Sequence, residues 1–422
     1  TGLRGKSGPL SVQNSRLTRD VVDKWVDAAV DAGYKRNPDY NGADQEGVGY
    51  FQLTMKRGRR CSSAAAYLAP ARKRKNLSVI TDAQVEKVVI AEGRATGVQI
   101  RRHQRVETIS ANAEVILSAG AIGSPQLLQV SGIGSRKTLE DAGIGLLHEL
   151  PGVGENLQDH LEFNFQYRCK QPISLNSELG LFKKGLIGVR WLLFKTGLGR
   201  TNHFEACAFI RSRAGVKSPD IQYHFLPGAI TYDGSVAVKG HGFQVHVGHN
   251  KPTSRGYVRA RSGDLSEHPE ILFNYLETET DRQGFRDCVH LTREIMQQAA
   301  MDEFRGEVIQ PTDKVQTDEQ IDAFVRASVD SAYHPCGTCK IGVDEMAVVD
   351  SELRVQGIER LRVIDASVFP TIPNGNLNAP TMMLAERGAD MVKGSALLSS
   401  LEVPVYIDEN WQTRQRAGIA GS

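Results

Sequence analysis

The chain has 422 residues, with 51 Lys+Arg against 49 Asp+Glu for a formal charge of +2, and is 24% charged and 40% hydrophobic. At roughly 100–200 residues per domain this length implies two or three domains with a sizeable core, which excludes a peptide or a lone binding module. The composition excludes a disordered or fibrous chain, and the near-balanced charge does not point to nucleic acid.

Glycine, at 41 residues, exceeds the usual ~7%, so the chain is rich in turns or in places where backbone approaches a ligand. The first residue is Thr1 and no charged-then-apolar leader follows, so neither a signal peptide nor an intact start is read there. Six scattered cysteines do not make a disulfide framework and fit a reducing compartment.

In chain order, residues 17–32 read as a helix, followed by the Gly/Asn/Asp-rich loop GYKRNPDYNGADQEGVGYF. Two basic clusters, KRGRR and RKRK, flank the helix-like SSAAAYLAPA and, lacking interleaved aromatic residues, read as a solvated face rather than a nucleic-acid site. NLSVITDAQVEKVVIAEGRATGVQIRR alternates as strands joined by a Gly turn, a β-meander. In AEVILSAGAIGSPQLLQVSGIG an apolar strand at 115–117 meets a small-residue turn and then a helix, with Ser124 as N-cap and Pro125 as the first helical residue. Such a unit lets a phosphate or cofactor backbone approach, although many α/β proteins carry one without a ligand.

The Gly-rich loop LPGVGENLQDH follows, with Asn156, Asp159 and His160. Residues 179–199, LGLFKKGLIGVRWLLFKTGLG, form a basic amphipathic helix interrupted by Lys183, Lys184, Arg190 and Lys195. Either it packs on the body of the protein with its lysines in water, or it lies on an anionic membrane surface. No run of 18 apolar residues is present to span a bilayer. From residue 160 to 331, short alternating segments (DIQYHFLP, FQVHVG, GYVRARS) and the helical ETDRQGFRDCVHLTREIMQQA indicate an antiparallel sheet with helices, a second domain. The chain then returns to an α/β pattern: strand LRVID, loop ASVFPTIPNGNLNA, and helix PTMMLAERGADMVKG with Pro380 in its first turn.

Two segments carry chemistry. In SAYHPCGTCKIG, Cys336 and Cys339 beside His334 admit half a zinc site, a redox pair, or a working histidine with packing thiols. A tetrahedral zinc site needs four ligands and no second Cys pair exists, while a redox pair wants a thioredoxin-like βαβ context. Asn374, Asn376 and Asn378 precede the last helix, whose N-terminus would present N–H groups and a positive dipole end to an anion formed during turnover, such as a reduced flavin. A near-neutral His, an oxyanion-binding amide and a helix N-terminus suit proton abstraction from an alcohol. Simple capping would explain one or two of the asparagines but not three in five residues.

SAGAIGSPQLLQVSGIG resembles the second signature of the glucose-methanol-choline (GMC) oxidoreductases, and YHPCGTCKIG with LRVIDASVFPTIPNGNLNAPTMMLAERGADMV resembles their two C-terminal catalytic segments. The resemblance covers residues 8–406, and QEGVGYF, LPGVGENLQDHLE, NHFEACAFIRS, IQYHFLP and FRDCVHLTREIM make it most similar to the choline-oxidising members. It implies a two-domain fold of mixed α/β and α+β class, with an FAD-binding Rossmann-like domain at 71–160 and 331–398, an antiparallel-sheet substrate domain at 8–70 and 161–330, and a tail at 399–422. The family's G-x-G-x-x-G fingerprint is missing; GVGENL, GIGSRK and GIGLLH do not supply it. The resemblance therefore implies that the dinucleotide-binding βαβ unit lies upstream of Thr1, leaving the cofactor domain incomplete.

The roles implied residue by residue are these. His334 takes the hydroxyl proton and Asn376 binds the alcohol oxygen. Asn378 contacts the flavin pyrimidine edge, Asp365 and Ala366 run along the ribityl and pyrophosphate, Val85 meets the adenine through its backbone, and Ala119 with Gly120 lies beside the cofactor. Glu205, next to Phe204, faces the trimethylammonium of choline, for which a carboxylate or aromatic faces are required because a permanent cation cannot be neutralised by proton loss; a structural ion pair is the alternative. The implied reaction is FAD-dependent oxidation of choline to betaine aldehyde, with glycine betaine as an onward product left open, serving osmoprotection. Another alcohol as substrate, or a body that is inactive without its missing part, are the rival readings. The implied acceptor is a membrane quinone chain, with oxygen as the alternative. The implied location is peripheral membrane contact on the bacterial cytoplasmic face, or alternatively the mitochondrial inner membrane.

Overall fold

The computed structural model describes residues 3–14, 19–178, 180–231, 239–396, 398–399, 403 and 405–416. The expected helix start at residues 17–18, the first residue of the 179–199 segment and much of the 399–422 tail lie outside them. The principal elements in chain order are α1 (Asp20–Asp31), β1 (Gly47–Tyr50), β2 (Gln84–Ala91), β3 (Arg94–Arg102), β4 (Arg105–Ser110), β5 (Val115–Leu117), α2 (Gly120–Val130) and β6 (Leu161–Cys169). After these come α3 (Leu181–Phe194), β7 (Ala206–Ile210), β8 (Ile221–Leu226), β9 (Gly242–His249), α4 (Glu279–Met296), β10 (Arg305–Gln310), α5 (Asp318–Ser328), β11 (Asp330–Ser331), β12 (Leu361–Val363) and α6 (Asn378–Lys393).

A seven-stranded sheet runs β10-β6-β9-β8-β7-β1, with β11 pairing the start of β6. All its pairings are antiparallel, as hairpin-linked alternating segments require. Its strands carry almost no exposed residue because both faces are covered. On one face, Trp25 of α1 stacks on Phe225, 5.3 Å between centroids, and Phe285, Val289 and Met296 of α4 join the core of Phe163, Phe165, Tyr223 and Phe243. The opposite face carries a smaller aromatic cluster of Tyr40, Phe51 and Phe209 with Phe204 against it, and there the site lies.

A second core assembles β2, β3, β5, α2 and β12 with residues 339–368. The meander β2-β3-β4 forms as its alternation predicts. β5 and β12 pair in parallel although 244 residues separate Leu117 from Leu361, so the chain's two ends of this core are joined by one two-strand ladder.

Helix α2 departs from the expectation. It starts at Gly120, with Ala119 as N-cap, and Pro125 lies inside it rather than at its first position. Proline removes the N–H that would serve the carbonyl four residues back, and Thr338 repairs this: its hydroxyl donates to the Ala121 carbonyl at 2.6 Å. Ser124 is likewise not an N-cap. Its Oγ accepts from the Ala119 N–H at 3.0 Å and donates to Asp365 Oδ2 at 2.6 Å.

Helix α3 also differs from its more ordinary placement on the body. None of its residues is buried, and Leu181 and Phe182 are 91% and 80% exposed. Trp191, whose Nε1 donates to the Gly58 carbonyl at 2.8 Å, and Ile187 face the protein.

Candidate active site

His334 sits in the loop after β11, and the Gly-rich loop at 152–160 holds it there. Gln158 and Cys336 exchange backbone hydrogen bonds at 3.0 and 2.9 Å. Asn156 Nδ2 donates to the Gly337 and Pro370 carbonyls, and the Gln158 side chain bonds both Pro370 and Ile372. Gly337, at φ +96, needs its glycine twice over: the backbone is left-handed, and a Cβ would stand 2.5 Å from the Asn156 oxygen. Asp159 accepts from the His334 N–H at 2.8 Å, from Ser331 Oγ at 2.5 Å and from the Tyr275 hydroxyl at 2.7 Å. Three donors on one carboxylate pin the residue from which the imidazole projects.

The imidazole lies between two partners. His334 Nδ1 is 3.1 Å from His160 Nδ1, and His334 Nε2 is 3.2 Å from Asn376 Nδ2. Gln222 Nε2 donates to Asn376 Oδ1 at 3.1 Å, which turns the Asn376 NH2 toward the histidine. Burial holds the His334 pKa below its ordinary value, against the raising influence of Asp159 and Glu162. It is therefore a neutral base at pH 7.

The wall around them encloses about 460 Å³ lined by Tyr40, Phe51, Phe204, Phe209, His224 and Glu162, with Asn374, Asn376, Asn378 and Pro380 along one side. Glu162 is the carboxylate on that wall. Burial pushes its pKa up, but the hydrogen bond with His246, at 2.9 Å, and the electrostatic pull of the imidazoles around it outweigh burial and hold it below the usual carboxylate range. His224 is half-buried in the wall and neutral, its pKa pushed down to about 4 by desolvation.

The three asparagines do not cap α6. Leu377 is its N-cap and makes no side-chain capping bond; Asn374 donates to Gln45 Oε1 and the Pro219 carbonyl, and Asn376 serves His334. Glu205 does not line the cavity. It is buried with Oε2 unpartnered, the charges acting on it are Arg19 and Asp23, and burial pushes its pKa up to about 8, so at pH 7 it is largely a neutral acid. Cys336 and Cys339 are free buried thiols in different apolar clusters, one with Ile372 and Leu377 and the other with Val348 and Val363. Burial pushes the Cys336 thiol up to about 12 and raises Cys339 as well, so neither is a ready thiolate. Among the described residues no group of three His, Cys, Asp or Glu side chains could hold a metal ion.

Of the residues expected to border a cofactor, Val85 and Ala119 line one cavity of about 640 Å³ between the meander and the β5–α2 turn. Gly120 N–H donates to Asp365 Oδ2 at 2.9 Å, and Asp365 also accepts from Ser124 and from the Ser367 N–H. Asp365 is thus a clamp that ties the strand–turn–helix to the segment carrying Ala366. Ala366 in turn packs against Cys336 and Leu377, beside Asn378. Asp159 and His160 stand out in the sequence without a role, and Glu162 and Gln222 do not stand out at all: they belong to alternating polar rows, Glu162-Asn164-Gln166 in β6 and Gln222-His224 in β8, and which member meets the site is decided only when the sheet is assembled.

An imidazole with its base nitrogen toward an amide, in an aromatic-walled cavity beside a strand–turn–helix, defines an enzyme of the acid/base type acting on a small molecule. GMC oxidoreductase family profiles match residues 4–162 and 252–385. An oxygen-dependent choline dehydrogenase of Photobacterium profundum is 55% identical over 421 residues, covering 99% of this chain and 74% of that protein. One of Rhizobium meliloti is 51% identical over 417 residues, covering 98% and 76%. Among solved structures, pyridoxine 4-oxidase from Mesorbium loti superposes with a TM-score of 0.82 at 28% identity, covering 94% of this chain and 74% of that one. A formate oxidase superposes at 0.84 with 23% identity, which speaks to the fold alone. The chain belongs to the GMC oxidoreductase family.

Proposed function

We propose that the protein oxidises choline to betaine aldehyde with FAD as cofactor. The observation that carries the reading is that one cavity is lined by a neutral base, His334, with Asn376 beside it, and by an ionised carboxylate, Glu162, together with the aromatic side chains of Tyr40, Phe51, Phe204 and Phe209. A quaternary ammonium cannot shed its charge, so its desolvation must be offset by an anion and by ring faces. Glu162 supplies the anion that Glu205, protonated and off the wall, does not. The 51–55% identity to choline dehydrogenases supports the same substrate.

In this mechanism His334 Nε2 takes the hydroxyl proton, and the Asn376 amide donates to the oxygen as its charge grows. The residues present fit a flavin: a Cβ at Gly120, φ +80, would meet nothing within 4 Å, leaving the β5–α2 turn open to close approach. The N-terminus of α6 brings Asn378 and Ala379 to the cavity wall, where their side of the helix would favour the negative charge of a reduced flavin were one bound there. Val85, Ala119, Gly120, Asn378 and, through the clamp at Asp365, Ala366 are the residues assigned to hold it. When bound, FAD supplies the hydride acceptor. Choline compared with its uncharged isostere 3,3-dimethylbutanol, on the holoenzyme, tests the substrate: kcat/KM at least tenfold higher for choline is expected, and equal values would remove choline.

A second observation supports peripheral membrane contact. At 100° per residue, Leu181, Phe182, Leu186, Val189, Leu192 and Leu193 share one arc of α3, all of them more than half exposed. Lys183 and Arg190 edge the arc on one side and Lys184 on the other, and Ile187 and Trp191 lie opposite, against the protein. Apolar outward with a basic rim is the geometry of a helix lying in an anionic lipid interface. No helix among the described residues is long and apolar enough to cross a membrane. We assign the contact to the anionic cytoplasmic face of a bacterial membrane, and the acceptor to its quinone pool. The name of the relatives points instead to oxygen, and electron transfer to a quinone analogue under anaerobic conditions decides between them.

A further inference from the structure

We propose that His160 is a positioning residue that fixes the working tautomer of His334. The inference rests on the reading of His334 as the base, but it is carried by its own geometry. His160 Nε2 is 3.0 Å from the Asn250 carbonyl oxygen, which only accepts, so Nε2 carries the hydrogen. His160 is 3% exposed, and a doubly protonated imidazole there would stand with its second N–H aimed at another imidazole. Desolvation and the neighbouring His334 push its pKa down to about 3. Its Nδ1 is therefore a bare lone pair. The atom 3.1 Å from that lone pair is His334 Nδ1, with the two rings perpendicular at 88°. The hydrogen between them must belong to His334.

Neutral His334 then has its hydrogen on Nδ1 and its lone pair on Nε2, the nitrogen that faces Asn376 and the cavity. The opposite tautomer would set two lone pairs against each other at 3.1 Å and spend the cavity-facing nitrogen as a donor. When Nε2 accepts the substrate proton, the Nδ1 hydrogen bond to His160 persists, so the imidazolium forms without reorganisation. Other charged or titratable groups acting on His334 are Asp159, on the His160 side, and Glu162 of β6. Neither carboxylate is hydrogen-bonded to the ring, so the choice of tautomer falls to His160. A neutral imidazole in this place orients the base without binding it as an ion pair, and so leaves its pKa below neutrality.

Two measurements on the FAD-loaded enzyme test this. In 15N-histidine NMR above pH 7, with the His334 signals assigned by their loss in His334→Gln, the expected pattern is a protonated Nδ1 and an unprotonated Nε2. A protonated Nε2 would overturn the proposal whatever the turnover of any variant. In kinetics, His160→Phe keeps the ring volume and removes the acceptor, whereas His160→Asn puts an oxygen where Nδ1 stood. His160→Phe is expected to lower kcat about 100-fold with KM and the flavin spectrum within about twofold, and His160→Asn to recover at least tenfold of that loss. An unchanged kcat in the Phe variant, or equal losses in both, would reduce His160 to packing. Failure of His334 as the base reads out separately, as turnover retained in His334→Ala.

Discussion

At the scale of single residues, the site is a set of side chains whose roles follow from what faces them. His334 has one nitrogen committed to His160 and one free, and burial keeps it neutral. His334→Ala should therefore lose most turnover, at least 100-fold in kcat, while the flavin absorbance of the holoenzyme stays stoichiometric; unchanged turnover would remove His334 from the chemistry. Because the pKa lies below the ordinary ~6.5, kcat should be flat through pH 7 and fall only as acid protonates Nε2. A kcat limb centred above pH 7 contradicts this. Glu162→Gln should raise KM for choline by at least tenfold and leave that for 3,3-dimethylbutanol little changed. Glu205→Gln, which replaces an already neutral acid, should discriminate far less between the two alcohols, and the reverse result would return the cation to Glu205. Both candidate segments are visible in the sequence: His334 in a loop shaped by Pro335 and Gly337 after a helix, and Asn376 among three asparagines just before the last helix. Glu205, expected from the resemblance to face the substrate cation, is buried with Oε2 unpartnered, and Glu162 is the carboxylate on the cavity wall; the paired substitutions decide between them.

At the scale of elements, α2 shows how a local rule is overridden. Pro125 normally marks a first turn, yet five residues precede it in the helix because Thr338, from a loop 217 residues away, satisfies the Ala121 carbonyl. Thr338→Val keeps shape and removes the donor, leaving a buried carbonyl unpaired. A loss of roughly 1–3 kcal/mol is expected, measured by urea unfolding, and an unchanged midpoint would assign that carbonyl another partner. Helix α3 is the reverse case: its amphipathic period was plain, but periodicity alone cannot say whether the apolar arc faces protein or solvent. With Leu186, Leu192 and Leu193 all changed to Gln, co-sedimentation with phosphatidylglycerol-containing vesicles should fall by at least tenfold while turnover in solution is retained. Equal co-sedimentation with purely zwitterionic vesicles, or none with either, would sink the lipid reading; self-association lost in the triple variant would give the face to a second copy.

At the scale of the whole molecule, the second core is closed on itself by the β5–β12 ladder and the Asp365 clamp, and the loop at 152–160, braced on the His334 segment, leads from it into β6 of the large sheet. The cavity lies where the Phe209 face of the large sheet meets the His334 and Asn376 segments, so its chemistry depends on both cores being formed. Acid should loosen the assembly early. His160 and His224 are held neutral, with pKa values near 3 and 4. Between these values and the unfolded ~6.5 the unfolded chain binds more protons, so each costs about 1.4 kcal/mol of stability per pH unit lowered. The thermal midpoint should thus fall steadily from pH 6.5 toward 4.5, and a flat profile there would mean that these histidines are not held in the neutral form.

Length, composition and motif order were enough to establish a mixed α/β and antiparallel-sheet enzyme, its family signature and most of its strands and helices, and to single out His334 and Asn376 as candidates. These are set by hydrophobic period, turn chemistry and capping, which act between near neighbours in the chain and can be read there. Tertiary structure alone decided that Glu162 rather than Glu205 lines the cavity, that Asp365 clamps the α2 turn, that α3 turns its apolar arc outward, and that His160 meets His334 across 174 residues. Each of those is a contact, or a direction, between groups far apart in sequence. Its energy comes from packing and desolvation in the folded chain, and no local pattern encodes it.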